Sequence, residues 1–321
     1  MGDVTSKIEV SLQRHLPLVA VQAPPRLIGE PFAAFADEAR RTVELHPESK
    51  LLVFPELHLF GDGDPDLQRE EALRAAAEPL DGPRVEALAG LAEELGVWLV
   101  PGSVCERGER GELFNTQIVL SPAGELAGSY RKIFPWRPHE PYEPGDRFVV
   151  VDLDGIGRVG LNICYDAWFP ETSRQLAWMG AEVILNVVKT TTTDRAQELV
   201  LARANAIVNQ VFVVSVNCGG PTGQGRSIVV GPEGEVIAEA PDASPTLLAA
   251  ELELDAVGQV RTQGTAGVNR MWSQFRPDEP PIPLPVYQGR IDPASWQPQT
   301  PSPAPATGHT DVAFATVRST R

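Results

Sequence analysis

The chain has 321 residues, 42% of them hydrophobic and 22% charged, an ordinary globular composition that excludes wholesale disorder and allows a core of normal size. Lys and Arg number 27 against 43 Asp and Glu, a formal charge of -16. Such acidity repels phosphate backbones, so nucleic acid is not an expected partner.

Cys105, Cys164 and Cys218 are the only cysteines, an odd number with no CxxC spacing. Neither a disulfide framework nor a zinc ribbon is supported, and the usage suits a reducing cytoplasm. No apolar run approaches the roughly 18 residues of a membrane span, and the N-terminus lacks a signal-peptide core. Gly2 and Ser6 match a short myristoylation pattern, which is read as an ordinary exposed terminus.

Short β-branched runs predict buried strands over 16–22 (LPLVAVQ), 50–54 (KLLVF), 97–100 (VWLV), 159–163 (VGLNI), 183–189 (VILNVVK) and 211–217 (VFVVSVN). Helices are predicted between them. Residues 31–45 open with proline and carry Phe32, Phe35, Ala39 and Val43 on one face. Residues 84–95 carry Val85, Leu88, Leu91, Ala92 and Leu95; 170–179 open Pro-Glu, and 194–209 follow a run of threonines that offers caps. Strands alternating with helices imply a layered α/β fold.

Two segments echo each other. Residues 116–127 (TQIVLSPAGELA) and 227–238 (SIVVGPEGEVIA) each read as strand, Pro-x-Gly-Glu turn, strand. They fit two related halves of one domain. From Arg276 to Thr307 the chain is thick with proline, predicting an extended tail of polyproline II character, either an arm on a neighbouring subunit or, after Trp296, a partly disordered end. The boundaries drawn are a domain over 1–275 and a tail over 276–321.

Four positions carry chemistry: Glu56 in LLVFPELHLFG, Lys132 in GSYRKIFPW, Glu140 in PWRPHEPYEPGD and Cys164 in GLNICYDAWFPE. Glu56 and Cys164 stand at strand C-termini, where open α/β sheets place their sites. Singly, each has a bland reading as a core cysteine or a solvated charge. Together they supply a thiol acyl-transfer site. A free thiol has a pKa of about 8.5 and needs a base; a carboxylate can take its proton, an ammonium can hold an oxyanion, and a second carboxylate can keep that ammonium charged.

FPE, YRK and NICYD, in that order, resemble the Glu-Lys-Cys triad of the nitrilase, or carbon–nitrogen hydrolase, superfamily, over about residues 17 to 276. RKIFPWRPHEPYEPG resembles the aliphatic amidase segment that carries a second glutamate, here Glu140. The resemblance implies an α-β-β-α sandwich that stacks into a homodimer or higher homo-oligomer, with no metal or organic cofactor. It implies Glu56 as base, Lys132 and the Tyr165 N–H as oxyanion donors and Cys164 as nucleophile. Trp136, His139, Tyr142, Trp168 and Thr190 are candidate pocket residues; aromatics there pack as often as they contact, and the threonine run equally reads as a helix cap. A Cys–His pair would need His58 or His139, and neither has further support.

Cys164-Tyr165-Asp166 is nearer amidases than the Cys-Trp-Glu of nitrilases, so the expected reaction is hydrolysis of a small carboxamide to acid and ammonia. Nitrile or N-carbamoyl (ureido) hydrolysis, acyl or amine transfer, and a non-catalytic binding module stay open as alternatives; the segment Trp168-Phe169-Pro170-Glu171 resembles the carbamoylputrescine branch. No phosphate-binding glycine loop is present in the sequence.

Overall fold

The computed structural model describes residues 13–62 and 68–299. The Gly2–Ser6 pattern and the tail beyond residue 299 lie outside them.

Two sheets face each other. The first has seven strands: β1 (His15–Gln22), β2 (Leu51–Val53), β3 (Trp98–Val100), β4 (Ser103–Arg107), β5 (Leu113–Leu120), β6 (Leu126–Arg131) and β13 (Thr246–Glu253), ordered β13-β1-β2-β3-β5-β4 with β6 also on β5. The second has six: β7 (Val150–Leu153), β8 (Gly157–Ile163), β9 (Val183–Val188), β10 (Phe212–Asn217), β11 (Ile228–Val230) and β12 (Val236–Glu239), ordered β12-β11-β10-β9-β8-β7. In each, three parallel strands are flanked by antiparallel ones.

Strand alternation explains the layers. Leu18, Ala20, Leu51 and Val53 meet Leu161, Ile163, Leu185, Val187, Val214 and Val216 in a core between the sheets. Their neighbours Val19, Val21, Leu52 and Phe54 point the other way, onto helices α1 (Phe32–Leu45) and α3 (Pro83–Leu95). Ile184 and Val213 face Leu176 of α4 (Pro170–Trp178) and Leu199, Ala202 and Ala206 of α5 (Arg195–Asn209). The result is an α-β-β-α sandwich. Burial on both faces is why the parallel strands read as unbroken apolar runs.

The echo is structural. The β5–β6 and β11–β12 hairpins lie in different sheets, and each has a register shift, at Val119/Leu120 and Val229/Val230. In both turns a glycine at positive φ, Gly124 (75°) or Gly234 (85°), donates its N–H three residues back, to Ser121 or Gly231. Helices α2 (Arg69–Ala76) and α6 (Asp255–Gln263) have no counterpart in the sequence-based reading.

The proline-rich stretch departs from a simple extended tail. Residues 282–291 form a hairpin of β14 (Ile282–Leu284) and β15 (Gly289–Ile291). Beyond it Trp296 stacks on Trp272 (centroids 5.4 Å) and donates its indole N–H to the Met271 carbonyl at 2.8 Å. The segment therefore folds back on its own chain: the β14–β15 ladder and the buried aromatic contact outweigh the extended bias of proline.

Candidate active site

The β5–β6 register assembles the first half of the site. Thr116 pairs with Arg131, so the next pair outward is Asn115 and Lys132, and the Lys132 N–H donates to the Asn115 carbonyl at 2.9 Å. Both side chains converge on Glu56, which follows β2 and is 1% exposed. Asn115 Nδ2 donates to Glu56 Oε1 at 2.8 Å and Lys132 Nζ at 3.0 Å. The loop before Glu56 is clamped: Gly102, at φ 85°, lies under the Pro55 carbonyl, and Ser103 Oγ accepts from the Leu57 N–H at 3.0 Å.

Glu140 closes the other side. Lys132 Nζ donates to its two oxygens at 2.8 and 2.9 Å, and the Trp136 N–H donates to Oε2 at 2.8 Å. Lys132 is fully buried. Burial opposes its charge, yet Glu56, Cys164 and Glu140 overcome this and hold the ammonium well above the usual lysine range. Burial raises Glu140 above the usual carboxylate range, with the negative charge of Glu56 adding to it and Lys132 opposing.

Cys164 follows β8 directly and begins a short 3-10 turn, Cys164–Trp168. Its φ of 63° is unusual for a residue with a side chain, and such strain clusters at functional sites. The Tyr165 N–H lies in the first turn of that segment, where helical N–H groups lack an acceptor within the helix. Burial first, then the Glu56 charge, raises the Cys164 thiol well above its ordinary pKa, with Lys132 opposing. At rest the group is a thiol, with a carboxylate and an ammonium in electrostatic reach: the arrangement can take a proton from sulfur and hold a negative oxygen.

Asp166 ties the two halves together. Its Oδ2 accepts from Tyr130 OH (2.8 Å) and the Ile163 N–H (3.1 Å), and its Oδ1 from the Phe134 N–H (2.9 Å). The turn bearing Cys164 is thereby bonded to the strand and loop bearing Lys132. Phe134 and Phe169 stack at 3.7 Å across the same junction.

The candidate pocket residues divide. Trp136 uses its backbone on Glu140, while its ring is 38% exposed and packs on exposed His139 (centroids 4.2 Å). Trp168 is half-buried, its ring 6.3 Å from that of Tyr165. Tyr142 is buried, its hydroxyl 3.7 Å from Cys105 Sγ. The Thr190 hydroxyl, read from sequence as a substrate contact or a helix cap, is neither free nor on the helix backbone: it donates to the Glu198 carboxylate at 2.8 Å. His58 is fully buried, with Nε2 3.1 Å from Glu38 Oε2.

Asn115, Tyr130 and the buried Arg195–Glu198 pair (3.0 Å) escaped the sequence reading, and Asp166 entered it only as part of the motif that follows the nucleophile. A signal existed for Asn115: it and Gln117 interrupt the apolar strand LFNTQIVL, and buried polar groups need partners. Gln117 finds its partners across the sandwich, accepting from the Asn162 N–H (3.0 Å) and donating to the Leu185 carbonyl (3.3 Å).

The chain is similar to several known proteins. A formamidase from Pseudomonas syringae pv. tomato is 32% identical over 229 residues, 70% of this chain; the match spans 65% of that relative's own length, just under two thirds. The structure of Saccharomyces cerevisiae Nit3, a member of branch 10 of the nitrilase superfamily, superposes with a TM-score of 0.70 at 26% identity, covering 80% of this chain and 96% of Nit3. A cysteine-to-alanine mutant of the amidase from Nesterenkonia sp. AN1, solved with butyramide, gives 0.63 at 26% identity, covering 78% and 95%. The profile of the Carbon-nitrogen hydrolase family matches residues 13–262, well over half of the chain, and the chain belongs to that family.

Proposed function

We propose that this protein hydrolyses a small carboxamide to its acid and ammonia through a thioester on Cys164, with no cofactor. The observation that carries the reading is Lys132, wholly buried and bonded at once to Glu56 and Glu140, with the strained Cys164 in electrostatic reach. The formamidase and amidase relatives support it.

Glu56 takes the thiol proton as Cys164 sulfur bonds the amide carbon. The carbonyl electrons move to oxygen, and that oxyanion rests on Lys132 Nζ and the Tyr165 N–H. Glu56 returns the proton to nitrogen, the C–N bond breaks, and ammonia leaves. Water then attacks the thioester, giving a proton to Glu56; the C–S bond breaks, sulfur recovers the proton, and the acid departs. Glu140 keeps Lys132 charged and placed.

Ammonia release from a panel of small carboxamides, N-carbamoyl compounds and nitriles, with Cys164→Ala alongside, tests this. Release from amides by the wild type alone is expected. Release only from nitriles or ureido compounds would move the chain to another reaction of the family, and silence on every compound would leave the amide reading without support.

A further inference from the structure

Strand β5 brings to the site a polar group that the proposed cycle does not use. Val119 packs between the sheets whereas Ile118 and Leu120 face the helices, so alternation puts Asn115 and Gln117 on the inter-sheet side. Gln117 uses both ends of its amide there, on the Asn162 N–H and the Leu185 carbonyl. Asn115 uses one. Its Nδ2 donates to Glu56 Oε1 at 2.8 Å, while its Oδ1 is buried with no hydrogen-bond partner among the described residues. A buried acceptor left unpaired costs stability, so an aliphatic side chain of the same shape would serve packing better. What the amide alone supplies is the N–H aimed at the base.

Lys132 Nζ also donates to Glu56 Oε1, at 3.0 Å, and among the described residues no donor falls on Oε2. Lys132 by itself would not hold that arrangement. An ammonium is a point charge with rotatable donors, and this one already takes both oxygens of Glu140, at 2.8 and 2.9 Å. With Lys132 as its sole partner, Glu56 could turn both oxygens to Nζ in the same way. The planar amide of Asn115 opposes this by a directional bond to one oxygen.

We propose that Asn115 is a positioning residue: it pins Glu56 Oε1 and so reserves Oε2 as the oxygen that takes the Cys164 proton and returns it. This rests on the thioester reading given above.

Alkylation of Cys164 by iodoacetamide reads the role without amide turnover. Sulfur bonds the methylene carbon, iodide leaves, and the thiol proton passes to Glu56; Cys164→Ala identifies the labelled thiol. Asn115→Leu keeps the volume and has no donor. It is expected to slow labelling at least about tenfold with the thermal midpoint kept. In a Glu56→Gln background the same change should have no further effect, because Asn115 acts through Glu56. Asn115→Asp adds a pH signature. Ionised, the new carboxyl group repels Glu56; protonated, it donates an O–H to Oε1. Its labelling rate relative to the wild type should therefore rise as pH falls from about 8 to about 5. Should Asn115→Leu fail to fold, this signature decides alone. Labelling of Asn115→Leu at the wild-type rate, a further loss in the Glu56→Gln background, or a pH-independent ratio for Asn115→Asp would overturn the proposal. Butyramide hydrolysis by the wild type is scored separately: its absence beside the expected labelling results would sink the amide reading and leave the positioning role standing.

Discussion

Cys164→Ala should lower turnover at least about 10⁴-fold while leaving the thermal midpoint near that of the wild type, because the thiol supplies a bond-forming atom and its removal unpairs no buried charge. Full turnover by that variant, measured as ammonia release, would exclude a thioester. Lys132 is a different case. As a sequence residue it reads as a charge that could be removed with little loss of stability. In the structure it is the shared partner of two buried carboxylates. Lys132→Met should therefore cost about 3–5 kcal/mol in urea unfolding as well as activity, since breaking a buried pair leaves uncompensated charge. Burial already raises Glu140, so acidification should neutralise it readily, and the destabilisation should shrink as pH falls. A loss independent of pH would mean that Lys132 matters there for packing alone.

Elements meet at two joints. The first is the Gly102 turn beneath Pro55. A Cβ there would stand 1.7 Å from the Pro55 carbonyl oxygen, and the φ of 85° already disfavours any side chain. Gly102→Ala should push the Glu56 loop, costing about 1–3 kcal/mol and reducing kcat more than KM. An unchanged kcat would show that the loop can move without harm. The second joint is Asp166, whose carboxyl burial raises to about 6, with Lys132 and its three donors opposing. The folded chain thus binds this proton more tightly than the unfolded one. The associated stability is fully present below the unfolded value of about 3.9 and is lost as pH rises through about 6. Relative to Asp166→Asn, the wild type should lose stability between pH 4 and 6.5, as read from denaturation midpoints. A flat difference would show that Asp166 does not titrate in that window. At neutral pH the variant should also turn over more slowly, because its amide nitrogen cannot accept from one of the three donors.

At the scale of the molecule, the Trp296–Trp272 stack holds the proline-rich segment against α4 and α6. Trp296→Ala should cost about 1–2 kcal/mol of stability independent of protein concentration, as expected of a contact within one chain. A concentration-dependent loss would instead place the contact between subunits. We propose a homodimer or larger assembly on the family resemblance; sedimentation showing only monomer at micromolar concentration would count against it. Among the described residues no helix is long and apolar enough to cross a membrane.

Much of this architecture was legible in the chain itself. Strand and helix periodicity is local, so the runs at 16–22, 159–163 and 211–217 announce buried strands without their partners, and the Pro-x-Gly-Glu repeats announce hairpins because turn chemistry is also local. Glu56, Lys132 and Cys164 were visible for the same reason, each standing just after a strand, whereas Glu140 lies in the loop between β6 and β7 and was read from the amidase-like segment. The tertiary structure alone decided how these groups are partnered. Hairpin register sets Asn115 beside Lys132, and the meeting of the two sheets aims Gln117 at Asn162 and Leu185. Chain folding committed Thr190 to Glu198. Such pairings depend on distances across the sandwich between residues tens of positions apart, and local periodicity carries no information about them.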